Sequence, residues 1–178
     1  MVEVKNLGVV IAKLERLQKQ LSPAQMKVKL NTIGSIMANS IQQSFNDEKS
    51  PFGERWKPIS ANTAFSYFGG RKNAYTKNRK RQRSGFLNAY GAGGSKKILW
   101  QSGNLARRWV VRATSTSVTI SNNSSNRGFA YGLAHQFGSA KKNIPARPFL
   151  PIKNGNLEPR LAKNIIDYIE DELIKVLK

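Results

Sequence analysis

The sequence predicts an α+β domain in which a small antiparallel sheet packs against two or three helices, with a long basic loop excursion at about residues 69–95. Three observations predict it. Apolar residues recur at helical spacing near both ends, a short run around 109–121 alternates with the period of strands, and the stretch between carries glycine, asparagine and cations with little periodicity. With 178 residues, 39% of them hydrophobic, the chain has the length and apolar content of a single domain spanning 1–178.

Taken in order, Val2 to Val4 followed by Lys5, Asn6 and Leu7 predicts a short strand and turn. Val10, Leu14 and Leu17 then recur at helical spacing, with Leu21 closing the series, and predict a helix ending near Gln20. Ser22-Pro23 is a helix-start signal, since serine caps and proline suits the first helical position. The next helix places Met26, Leu30, Ile33, Ile36, Met37, Ile41 and Phe45 on one stripe and is expected to run to about Asp47.

Pro51, Phe52, Gly53, Trp56 and Pro58 mark a compact turn-rich connection over Ser50 to Ile59. Ser60 is positioned to cap a short helix reaching Phe68, whereas Gly69 to Ser95 reads as an exposed extension in which Gly91, Gly93 and Gly94 are flexible linker. Strands are expected from Leu105 to Val111, then from Ser117 to Ser121, joined as a hairpin about Ala113 to Thr116. Phe129 to Phe137 is a short helix or turn, Lys141 to Pro151 an extended segment, and Glu158 to Lys178 an amphipathic helix burying Leu161, Ile165, Ile169, Leu173 and Val176.

Charge is the most unusual compositional feature. The chain has 30 Lys and Arg against 10 Asp and Glu, and the 103 residues from Arg55 to Leu157 carry 19 cations and no carboxylate. A field of one sign is met by polyanions, by acidic neighbouring subunits, or by solvent and salt. With no cysteine and one histidine, disulfides, thiolate zinc sites and cysteine nucleophiles are excluded, and neither a cofactor nor a metal site is expected. The short apolar runs and the lack of a signal-peptide pattern predict a soluble intracellular protein with no membrane partner.

Arg71, Lys72, Lys77, Arg79, Lys80, Arg81 and Arg83 place seven cations within 13 residues and are the candidate nucleic-acid contact, with Tyr67, Phe68, Tyr75, Phe86 and Tyr90 interleaved as stacking surfaces. The competing reading is a loop ordered by neighbouring subunits or left mobile. Ser102-Gly103-Asn104 lacks the elbow pattern of a nucleophile and reads as a cap. Trp56 reads as a buried anchor or a subunit contact, and His135 as a packed residue whose ring nitrogens bridge backbone segments. Arg147, held between Pro145 and Pro148, is a presented fork for a carboxylate of its own chain or a neighbour in preference to phosphate.

Four blocks occur in a fixed order: Pro51-Phe52-Gly53-Glu54-Arg55-Trp56; Leu99-Trp100-Gln101-Ser102-Gly103-Asn104-Leu105; Tyr131-Gly132-Leu133-Ala134-His135-Gln136-Phe137-Gly138; and Ile144-Pro145-Ala146-Arg147-Pro148-Phe149-Leu150. In this order they resemble the Mu-like phage virion morphogenesis family, also called tail-completion proteins, over roughly Leu30 to the C-terminus. The resemblance implies a non-catalytic virion subunit of the tail or neck, present in host cytoplasm during assembly. It implies a homo-oligomeric ring, expected as a hexamer, joined to neck or connector proteins and to tail-tube or tail-terminator proteins, with packaged DNA in the lumen. Trp56, Tyr131, His135, Gln136, Pro145, Arg147, Pro148 and Phe149 are the candidate interface or structural residues. A stand-alone basic nucleic-acid-binding protein is the alternative, opposed by the lack of a recognisable DNA- or RNA-binding signature. A nuclease or other hydrolase is a further rival, for which the acid-free middle leaves few carboxylates.

Overall fold

A computed structural model describes residues 7–177, so the strand expected at Val2 to Val4 lies outside the described residues. The helices are α1 (Leu7–Gln20), α2 (Pro23–Asp47), α3 (Ala61–Tyr67), α4 (Arg71–Ala74), α5 (Ser84–Tyr90), α6 (Asn104–Arg107), α7 (Tyr131–Phe137) and α8 (Pro159–Leu177). Strands β1 (Val110–Ala113) and β2 (Val118–Ser121) form one antiparallel hairpin, and β3 (Ile152–Lys153) and β4 (Asn156–Leu157) another. No helix among the described residues is long and apolar enough to cross a membrane. The architecture is α+β with small antiparallel sheets, as the alternation and helical periods predict.

The residues group into two compact units. One takes the described residues of Met1–Ser40, Trp109–Ser121 and Pro151–Lys178; the other takes Ile41–Arg108 and Asn122–Leu150. In the first, β1 and β2 pair Val111 with Ile120 and Ala113 with Val118, and these four side chains are half-buried while Val110, Arg112, Thr119 and Ser121 face out. Gly34 on α2 receives this hairpin: a methyl there would overlap a Val111 methyl and come within 2.7 Å of a Val118 methyl. Helix α1 packs against α8, whose Leu161 and Ile165 are buried. Lys29 on α2 binds Glu172 on α8 at 2.7 Å and the Gln20 amide oxygen at 3.2 Å. Lys175 first, and Lys29 second, hold the Glu172 carboxyl down to about 2 through hydrogen bonds to it. The stripe expected on α8 is buried only at its start, because Ile169 and Leu173 are exposed, and the Val176 side chain lies outside the described residues.

In the second unit, Ile41 and Phe45 are almost completely buried, and the Phe45 ring meets Trp56 edge-on at 5.3 Å and Phe149 at 5.2 Å. Ser60 caps α3 by accepting the Thr63 amide at 3.2 Å. The segment expected as an exposed excursion is instead folded around an aromatic core. Phe65 stacks on Phe86 at 5.1 Å, Phe86 meets Phe68 at 5.4 Å and Tyr90 at 5.6 Å, and Ala64 and Ala74 fill the remainder. Burial of these rings opposes the charge repulsion that an isolated reading of the cations makes dominant. The expected strand at Leu105 is also corrected: Leu105 and Ala106 are buried on the helical turn α6, and the strand begins at Val110.

Candidate functional site

The four sequence blocks meet one another within the second unit. After α2 ends, the Trp56 amide donates to the Glu48 carbonyl at 2.9 Å and the Ser50 amide to the Glu54 carbonyl at 2.7 Å, which fold the first block into a tight turn. Its indole, 5% exposed, donates through Nε1 to the Pro148 carbonyl at 2.8 Å. Trp100 of the second block donates its Nε1 to the Phe45 carbonyl at 3.1 Å, and Lys97 Nζ reaches the Asn46 carbonyl at 2.9 Å. Two carbonyls of the last turn of α2, which lack helical partners, are satisfied in this way.

Gln136 of the third block is 6% exposed, and its Oε1 accepts the amides of Phe149 at 2.9 Å and Leu150 at 3.0 Å. Arg147 of the fourth block is 4% exposed and donates Nε to the Lys57 carbonyl at 2.8 Å and Nη2 to the Pro58 carbonyl at 3.0 Å. The expectation of a carboxylate partner is therefore corrected: its bonds are to two consecutive carbonyls of its own chain, and burial pushes its guanidinium pKa down. Pro145 and Pro148, whose rings fix φ, hold the segment extended around Arg147, and the Pro148 carbonyl accepts the Trp56 indole. Gly138 follows α7 at φ +78°, where an added Cβ would lie 3.1 Å from the Ala146 amide nitrogen, so the third and fourth blocks approach closely.

His135 joins this clasp through its backbone carbonyl, which accepts the Arg147 amide, and not through its ring. The ring Nδ1 is buried without a partner among the described residues, which corrects the expectation that it bridges two backbone segments. Burial first, and the Arg147 guanidinium second, lower the imidazole to about 4, so it is neutral near pH 7. Tyr131 and His135 line a cleft of about 530 Å³ together with Tyr67, Leu99, Gln101, Ser102, Asn104, Leu105, Ser125, Asn126 and Phe129. Ser102 and His135 thus share a cleft, yet Ser102 Oγ accepts the Asn104 amide at 3.4 Å and no carboxylate lines the walls to orient a base. No cluster of three metal-ligating side chains occurs among the described residues.

The cationic residues take distinct positions. Arg71 lies over the Phe65 ring at 5.1 Å, Arg83 Nε donates to the Tyr75 carbonyl at 2.8 Å, and Lys72 is exposed on α4. Lys77, Arg79, Lys80 and Arg81 occupy a turn closed at its base by the Tyr75–Gln82 bridge. Inside it, Thr76 N donates to the Arg81 carbonyl at 2.9 Å and Arg79 N to the Thr76 carbonyl at 2.8 Å. Asn78 Oδ1 accepts Thr76 Oγ1 at 2.7 Å and Lys80 N at 3.2 Å, and Arg79 takes φ +53°. Of the interleaved aromatics, Phe86 is buried, and Phe68, Tyr75 and Tyr90 pack half-buried against it or its neighbours, leaving Tyr67 as the exposed member of that set. Gly91 and Gly94 form a close turn after α5, where a Cβ would meet the Leu87 or Ala89 carbonyl oxygen at 2.5 Å, so they are not flexible linker.

Sequence reasoning passed over the Asn122 amide, which donates to the carbonyls of Asn104 at 3.3 Å and Leu105 at 3.1 Å, and the exposed pair on α7. Leu133 and Phe137, one turn apart on that helix, are 62% and 73% exposed, the two highest values for large hydrophobics among the described residues. The helical spacing of two large apolar residues beside buried Ala134 and Gln136 is the signal that separates an outward from an inward face. Comparison with known proteins gives a match to the phage virion morphogenesis family over residues 6–174. No curated protein and no solved structure gives a significant match.

Proposed function

Because this chain belongs to the phage virion morphogenesis family, we propose that it is a structural subunit acting in tail completion and head–tail joining, self-assembling as a ring, expected as a hexamer, at the neck. The observation that carries the docking part is the Leu133–Phe137 face on α7. Two large apolar side chains held in solvent, on a helix anchored by the buried Gln136, are stabilised when a partner covers them. A ring needs one surface patch to meet a different patch on the next copy, and a rigid helix face suits such a heterologous contact. The neck or connector and the tail-tube or tail-terminator proteins are the partners proposed for the remaining surfaces, placing the protein in the tail or neck of the particle.

Native mass measurement of the purified protein, alone and with neck components, tests this reading. The wild type is expected as a closed oligomer of six copies. Leu133→Ser with Phe137→Ser is expected to shift it toward monomer while leaving the circular dichroism spectrum unchanged. A wild type that stays monomeric beside every neck and tail component, or a double variant that assembles normally, would overturn the ring. Disruption of the gene in its phage is expected to leave heads and tails unjoined or tails defective, and normal infectious yield would count against the role itself.

A further inference from the structure

We propose that the turn from Thr76 to Arg81 is a preorganised contact for the phosphate backbone of duplex DNA, made without reading its sequence. It begins from four exposed cations, Lys77, Arg79, Lys80 and Arg81, within five consecutive residues, none of which forms an ion pair among the described residues. The carboxylates are absent from the sequence between Glu54 and Glu158, so no neighbour close in the chain can neutralise them. Like charges this close repel, and an open loop would relieve the repulsion by spreading. Here the backbone bonds of Thr76 and Arg79 and the Asn78 carboxamide hold them together on one turn. That geometry lowers the ordering cost of meeting several anions at once.

A single carboxylate side chain offers one charge, whereas duplex DNA offers one about every 1.7 Å of axis and can meet all four cations together. The inward-turned aromatics decide between duplex and single strand. Single-strand binding draws on base stacking, and Phe65, Phe68, Tyr75, Phe86 and Tyr90 spend their faces on each other. Contacts from exposed lysine and arginine on a turn, with no helix presenting side chains to base edges, position a backbone and carry no sequence information. The proposal deepens the assembly reading by naming how such a subunit holds DNA, and rests on that reading for its setting only.

Binding of the full chain to a random-sequence duplex of about 25 base pairs, followed by fluorescence anisotropy over a salt series, tests the turn directly. Replacing Lys77, Arg79, Lys80 and Arg81 by serine is expected to weaken binding at least about tenfold near 100 mM salt and to flatten the log–log salt slope by about 3–4, as four lost phosphate contacts require. Replacing four exposed cations elsewhere in the acid-free stretch, Lys57, Lys96, Arg112 and Lys141, is expected to flatten it much less. Unchanged circular dichroism of both variants excludes unfolding as the cause. Equal losses from the two variants, an unaltered slope in the turn variant, preference for a single strand of equal length, or equally tight turn-dependent binding to polyglutamate would each overturn the proposal. The last result would assign the turn to an acidic protein surface. Because the assay uses purified protein, it can fail while the particle phenotype persists, and the reverse.

Discussion

The Trp56 indole N–H donates to the Pro148 carbonyl across 2.8 Å, joining two blocks separated by 92 positions in the chain. The bond is part-buried: the indole is 5% exposed and sits beside the Phe45 ring, while Pro148 is half-buried, so a lost donor leaves a partly shielded carbonyl. Trp56→Phe keeps an aromatic ring but removes the donor, and is expected to cost about 1–3 kcal/mol. Trp56→Ala also empties the ring volume and is expected to cost about 3–5 kcal/mol. Urea denaturation midpoints measure both, and equal stability of Trp56→Phe and wild type would show that the bond contributes nothing net.

Gln136 serves two donors with one oxygen. Gln136→Leu preserves size but removes the oxygen that accepts the Phe149 and Leu150 amides, and a loss of about 2–4 kcal/mol is expected. Hydrogen exchange gives the sharper readout: those two amides should lose protection ahead of the Phe45 core. Retained protection would assign them another acceptor.

Gly34→Ala pits a gain in helix propensity of about 1 kcal/mol against overpacking of about 1–3 kcal/mol where Val111 and Val118 press on α2. A net loss is expected. Adding Val111→Ala opens space for the new methyl, so the double variant should be more stable than the sum of the two single changes. Strict additivity in thermal unfolding would show that Val111 does not press on Gly34.

His135 sets a pH dependence with a definite sign. Its imidazole is lowered from the ordinary 6.5 to about 4, chiefly by burial, so the unfolded chain binds a proton more readily than the folded one between those values. Its contribution is fully present above pH 6.5, falls as pH drops through the window toward 4, and is constant below it. His135→Gln should therefore show a shallower fall in stability between about pH 6.5 and pH 5 than wild type. As the chain holds one histidine, its ring resonance titrates without overlap and checks the assignment; a midpoint near 6.5 would remove the effect.

Legibility followed the range of the interactions. Helices α1, α2, α3 and α8 were readable because their signals are local: apolar spacing, Ser22-Pro23, and the Ser60 cap. The β1–β2 hairpin is legible in the alternation of Val118 and Ile120, but its first boundary is not, since Leu105 is buried on a helical turn and the strand begins at Val110. The β3–β4 hairpin went unread despite a usable signal: Asn154-Gly155 at φ +52° and +79° is the residue pair that a two-residue turn with left-handed backbone favours.

The order within residues 69–95 is hidden from the linear sequence for a different reason. Seven cations dominate a linear reading, while the core that orders them draws Phe65 from α3, Phe68 from its C-cap, and Phe86 and Tyr90 from α5, groups that meet only after the chain turns back. The clasp was half legible. Trp56, Gln136, Arg147 and Phe149 stood out as residues in ordered blocks, but that Arg147 would choose the Lys57 and Pro58 carbonyls over a carboxylate depends on which loop the fold lays beside it.

The long separation between Trp56 and Pro148 also bears on synthesis. A ribosome that has released Trp56 must add 92 more residues to reach Pro148, so the turn around Trp56 waits, its indole and the Lys57 and Pro58 carbonyls in water, until Pro148 and Arg147 emerge. Nascent copies consequently expose this segment to proteases and chaperones for longer than any part closed by local contacts. Stalled chains ending before Pro148 are expected to show a wet Trp56 by fluorescence quenching, and completed chains a protected one.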